Sequence, residues 1–189
     1  MKIFMFGLVA ALAVGASFAC AAELKSGLQP GDELPAFQVE KCAGAVHDGK
    51  KVGDSFCYRC MLGNKPVVMV FSRKADANLA ALVKELDQAL EKNADKKLSS
   101  FVNLLGKDGD ELKSTAKQFA TKNKIENVAL VVPEDHQNGP EDYKINPEAE
   151  VTVLIYRKGT IEASHAYPAG KFDKKAVAEV MADTGKILD

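Results

Sequence analysis

Neither sign of charge is in surplus here: 25 Lys and Arg stand against 26 Asp and Glu, a net charge of −1 over 189 residues. A nucleic-acid surface needs a basic excess, so the balance argues against DNA or RNA as a partner. Beyond the first residues there is no second long apolar run, and no membrane span is expected in the mature chain. Internal repeats and low-complexity tracts are absent. Cysteine is scarce, with four in the chain: Cys20, Cys42, Cys57 and Cys60. A chain of this size buries roughly 70% of its surface on folding, enough for a core without disulfide support.

What is present begins with Lys2, an apolar stretch from Ile3 to Ala19, the small residues Ala19-Cys20-Ala21-Ala22, and then the polar Glu23-Leu24-Lys25. This order predicts a secretory signal peptide over 1–22, cleaved after Ala21 or Ala22. A retained span would need ~20 apolar residues with flanking anchors, which the stretch barely offers. Cys20 leaves with the signal. Phe18 stands where a lipoprotein signal has a small residue. The mature chain, 23–189, is expected to be one domain. Without Lys2 it carries 24 basic and 26 acidic side chains, a net charge of −2. Export, to the periplasm or outside the cell, would place Cys42, Cys57 and Cys60 in an oxidising compartment. An odd count leaves one thiol over unless a metal or a partner takes it.

Read in order, Leu28 to Phe37 is turn-rich, with Pro30 and Pro35 around Gly31-Asp32. Phe37-Gln38-Val39-Glu40 alternates like a strand. His47-Asp48-Gly49-Lys50 supplies a turn before Lys51-Val52, predicting an N-terminal β-hairpin. Val67 to Phe71 is apolar on both faces, the pattern of a central strand. Asp76 to Lys92 carries Leu79, Leu82, Val83, Leu86, Ala89 and Leu90 at helical spacing. A second strand is predicted at Phe101–Leu105, a helix opening at Gly109-Asp110, and a third strand at Val128–Val132. A long polar loop through Glu150 follows, the kind that often carries function. Val151–Tyr156 and Thr160–Ala166 read as a hairpin, and Asp173 as the cap of a closing helix. Alternating strands and helices predict an α/β fold.

The chemistry concentrates in Cys57-Tyr58-Arg59-Cys60, set just before the central strand. Two cysteines at this spacing exchange electrons, grip a metal or staple a loop. In the metal reading, Cys42 and His47 join Cys57 and Cys60 as a Cys3His set for zinc, or for copper(I) on grounds of softness. In the staple reading, Cys42 bonds Cys57 or Cys60 and closes a loop of about 15–18 residues, worth ~3 kcal/mol. In the redox reading, Cys57 attacks, Cys60 resolves, Cys42 is a possible third partner, and Arg59 stabilises a thiolate by charge.

Four stretches in sequence resemble the thioredoxin superfamily, in its redoxin branch, which includes peroxiredoxins and extracytoplasmic thioredoxin-like proteins. Gly31-Asp32-Glu33-Leu34-Pro35-Ala36-Phe37 resembles the G-D-x-x-P-x-F lead-in of redoxins. Lys65 to Phe71 resembles their central strand, and Tyr143-Lys144-Ile145 the Y-G-V that follows. Thr152 to Gly159 resembles the P-T-L-L-L-F-x-x-G hairpin. The resemblance implies a thioredoxin-like fold with a central mixed β-sheet flanked by helices, thiol or disulfide proteins as partners, and no cofactor. It also has gaps. The family's reactive Cys-x-x-Cys follows the central strand, and those positions are Asp76 and Leu79 here. Val151 or Glu150 holds the place of the family's cis-proline, and there is no peroxiredoxin-type Thr-x-x-Cys. Cys57 and Cys60 lie before the strand, whose six residues Val67 to Ser72 span about 20 Å at ~3.3 Å each, so the pair is expected at the opposite edge of the sheet from those positions. Only Met61 to Pro66 intervenes, leaving little room for a helix. Two functions follow: thiol–disulfide exchange through a displaced pair, or a non-catalytic binding or structural module.

Overall fold

The computed structural model describes residues 24–188. The expected signal peptide and Cys20 lie outside them. In chain order the elements are β1 (Val39–Ala43), β2 (Ser55–Phe56), α1 (Tyr58–Leu62), β3 (Val67–Ser72), α2 (Ala77–Lys92) and β4 (Ser99–Leu104). They continue with α3 (Gly109–Asn123), β5 (Ala129–Pro133), a 3-10 turn (Glu141–Tyr143), β6 (Ala149–Arg157), β7 (Thr160–Pro168) and α4 (Lys174–Gly185). Among the described residues no helix is long and apolar enough to cross a membrane.

Seven strands form one sheet in the order β2-β1-β5-β4-β3-β6-β7. β3, β4 and β5 run parallel, and the outer pairings are antiparallel. The expected mixed sheet is therefore present. Side chains alternate along β3: Val68 and Val70 enter one core, while Val67, Met69 and Phe71 enter the other. The first core is roofed by α2, α3 and α4. The second is covered by the 24–38 segment, α1 and Tyr143. Both faces of β3 are thus buried, which its unbroken apolar run requires.

Three helices start at aspartate caps. Asp76 accepts from the N–H groups of Asn78 and Leu79 at 3.0 Å each, and Asp108 and Asp173 do the same for α3 and α4. Replacing such a cap by alanine costs about 1 kcal/mol. Asp76→Ala should therefore lower the urea unfolding free energy by about that much, while Asp76→Asn, which keeps an accepting oxygen, should stay close to wild type.

Two sequence expectations change. The returning arm of the N-terminal hairpin is Ser55–Phe56 rather than Lys51-Val52. The intervening chain turns through Gly44, Ala45, Gly49 and Gly53, all at positive φ, and is fastened from beneath by Lys41. The hairpin also extends the main sheet, because β1 pairs with β5. The 134–150 segment is shorter as a loop than expected, since β6 begins at Ala149. Tyr143 anchors it, fully buried, with its hydroxyl donating to Pro35 O at 2.7 Å.

Candidate functional site

The residues before β3 fold into a helix of little more than one turn. Tyr58 and Leu62, four apart, both face the core. Gly63 ends the turn at a φ of +57°, its N–H returning to Arg59 O at 3.2 Å. Pro66 cannot continue a helix and sets the start of the strand. The short helix α1 therefore forms on the motif itself, and only Met61 and Leu62 of it lie in the Met61–Pro66 stretch that had looked too small for one. Cys57 is its N-cap, and Cys57 Sγ accepts the Cys60 N–H at 3.0 Å.

Cys57 and Cys60 are joined in a disulfide, with their Cα atoms 5.3 Å apart. The chain thus does carry a Cys-x-x-Cys pair, at the start of β3 rather than at its end. The Cys42 staple is not formed: Cys42 is a free, buried cysteine. It belongs to the core beneath α2, α3 and α4, whereas α1 packs on the opposite core. The sheet stands between them, because adjacent residues of a strand point to opposite faces.

Burial, with the nearby Glu40 carboxylate adding to it, pushes the Cys42 thiol up to about 11. A thiol held neutral in the fold but freer to ionise when unfolded stabilises the protein below pH ~9 and loses that contribution as pH rises through about 11. The stability of wild type relative to Cys42→Ala should accordingly fall between pH 9 and pH 11 in urea titrations. Iodoacetamide at pH 8 should label Cys42 only after unfolding. A native thiol that reacts as fast as free cysteine would contradict this placement.

A polar network anchors α1 and was not foreseen from the sequence. Lys41, 2% exposed, donates to Ala45 O at 2.8 Å, Lys50 O at 3.0 Å and Asp48 Oδ1 at 2.6 Å, which uses all three ammonium protons. The other oxygen of Asp48 accepts a short hydrogen bond from the Tyr58 hydroxyl. Tyr58 stacks on Phe101 with ring centroids 5.0 Å apart and packs on Phe56 at 4.6 Å. Burial foremost, then the bond to Asp48 and its charge, raise the Tyr58 phenol far above its ordinary range. The residue inside the Cys-x-x-Cys motif is thus bolted to the 44–54 loop and to β4.

Arg59 serves a second attachment. Its Nε donates to Leu34 O at 3.3 Å, and its guanidinium fills the space beside Gly159, where a Cβ would come within 2.5 Å of Nη2. Gly159 has a φ of +82°, so both the backbone and this contact favour glycine. The Arg59 head is thus turned toward the 24–38 segment and the β6–β7 turn. His47 lines a cavity of about 500 Å³ with Tyr58, Met61 and Leu62 of one core and Leu90 and Leu98 of the other. The structure does not bring Cys42, His47, Cys57 and Cys60 together. Among the described residues no cluster of three or more His, Cys, Asp or Glu is placed to hold a metal ion.

At the far end of β3, Asp76 caps α2 and Leu79 is a core residue, 1% exposed. Glu150 pairs with Lys74 at 2.5 Å, and its carbonyl accepts the Arg73 N–H at 2.9 Å. Val151 pairs with Ser72 in the sheet. His165 on β7 lies 3.1 Å from Asp183 on α4, and His136 Nδ1 meets Gly106 O at 2.8 Å. Both histidines thus join elements of the fold.

No protein-family model and no curated protein sequence matches the chain. Its fold does match solved structures. A protein described as the thiol:disulfide interchange protein DsbE from Chlorobium tepidum superposes with a TM-score of 0.55 at 17% identity, over 84% of this chain and 99% of that one. AhpC of Mycobacterium tuberculosis gives 0.64 at 15% identity, over 86% and 99%. A protein described as a disulfide isomerase from Bacteroides thetaiotaomicron gives 0.60 at 13%, over 87% and 94%. The fold is thioredoxin-like.

Proposed function

We propose that this is an exported thiol–disulfide exchange protein of thioredoxin-like fold, working through Cys57 and Cys60 and taking thiol or disulfide proteins as partners. The observation that carries the reading is the Cys57–Cys60 disulfide, exposed at Cys60, on a helix that is anchored without it. Closing a loop of four residues contributes only about 2 kcal/mol through chain entropy. With Tyr58 and Leu62 holding α1 in the core, the bond can open and close while the fold persists. Exchange of this kind needs no cofactor.

The test is the exchange of electrons itself. Oxidised protein treated with dithiothreitol should gain two thiols at Cys57 and Cys60, keep its folded circular dichroism spectrum, and re-form the bond with glutathione disulfide. The wild type should accelerate oxidation of a dithiol peptide, and Cys57→Ala or Cys60→Ala should return the rate to that of buffer. A pair that opens only on unfolding would leave the second reading, a non-catalytic binding module. That reading draws support from the far end of β3, where Asp76 and Leu79 occupy the positions the family resemblance gives to the reactive cysteines, and Glu150, paired with Lys74, stands at the place of the cis-proline by one of the two counts.

A further inference from the structure

The two cysteines of the disulfide stand in different surroundings. Cys60 is exposed, whereas Cys57 is half-buried. The backbone N–H of Cys60 points at Cys57 Sγ from 3.0 Å, and Cys57 O accepts the Met61 N–H at 3.0 Å, fixing Cys57 at the head of α1. Thiol–disulfide exchange is a displacement: one sulfur must be reachable by the incoming thiolate, and the other must leave with the electron pair. Access and hydrogen bonding select different cysteines for these two tasks.

We propose that Cys60 is the sulfur that is attacked and Cys57 the one that leaves, the reverse of the order along the chain, which would give the attack to Cys57. The inference rests on the exchange reading above. A substrate thiolate approaches Cys60 Sγ and forms a new S–S bond with it. The Cys57–Cys60 bond breaks, and its electron pair departs on Cys57 Sγ, where the Cys60 N–H stabilises the thiolate. A donated hydrogen bond favours the charged form and makes that sulfur the better leaving group. The second substrate thiolate then attacks the substrate sulfur of the mixed disulfide. This releases Cys60 as a thiolate that takes a proton from water. The substrate loses two electrons and becomes a disulfide, while the Cys57–Cys60 pair is reduced. A second disulfide of the same chemical class reoxidises the pair by the reverse steps, again through Cys60.

The sequence makes the test direct, because trypsin cuts after Arg59 and puts the two cysteines on separate peptides. The oxidised full chain is mixed with reduced glutathione, quenched with excess N-ethylmaleimide and digested. Glutathione should be found on the Cys60 peptide about tenfold or more over the Cys57 peptide. Equal labelling, or labelling of Cys57, overturns the assignment and leaves exchange standing. A disulfide that stays closed throughout overturns both.

Discussion

Asp48→Ala is expected to lower the unfolding free energy by about 3–5 kcal/mol. The substitution leaves the Lys41 ammonium, 2% exposed, without its counter-charge and strips the Tyr58 hydroxyl of its acceptor. Carbonyls of Ala45 and Lys50 still accept from Lys41, but neither neutralises a charge that cannot reach water. Adding Lys41→Met to Asp48→Ala should recover much of the loss, because removing a stranded buried charge is far less harmful than creating one. Urea unfolding followed by circular dichroism measures both variants. A single-variant loss below about 1 kcal/mol would mean that the pair is solvated, contrary to its burial. The same substitution should loosen α1, seen as faster amide exchange at Met61 and Leu62 and faster reduction of the Cys57–Cys60 bond.

Tyr143→Ala should cost a similar amount, about 3–5 kcal/mol, by a different mechanism. The ring is fully buried, packed edge-on to Phe37 at 4.8 Å and tilted against Phe71 at 5.7 Å. Its removal opens a cavity in the core that no long helix covers. It also frees Pro35 O from its donor, so the 24–38 segment loses an anchor. Tyr143→Phe keeps the ring and should lose only about 1 kcal/mol, the value of one hydrogen bond. Burial holds the Tyr143 phenol far above its ordinary range, so it should stay neutral while the protein remains folded. Ultraviolet titration of wild type against Tyr143→Phe checks this, and a phenol titrating near pH 10 in the native protein would count against the buried placement.

Periodicity carried much of the fold. The apolar run of β3, the leucine stripe of α2 and the Asp173 cap were each legible because a local pattern and its burial coincide. The returning arm of the first hairpin was misplaced at Lys51-Val52. Nothing local shows that Lys41 reaches across the 44–54 loop and holds it clear of the sheet. Helix α1 was missed because five residues give no periodic signal and its stability is tertiary, through Tyr58 and Leu62. Asp48 read as an ordinary turn residue, and nothing in the sequence singles out Lys41. A charge pair seven residues apart has no signature until the chain folds it inward.

By itself the sequence determined the alternation of strands and helices, the two apolar faces of the central strand, and the presence of a Cys-x-x-Cys pair ahead of it. These follow from residue order and side-chain period, which a chain carries before it folds. Which cysteines pair was decided only by tertiary structure. Cys42 lies a few positions along β1 from the start of the loop, close enough in sequence to rival either partner. The sheet turns its side chain into the helix-covered core and leaves Cys57 and Cys60 on a turn of their own. The unequal exposure of the two bonded cysteines was decided there as well, on a helix that Tyr58 fastens to Asp48 and Phe101.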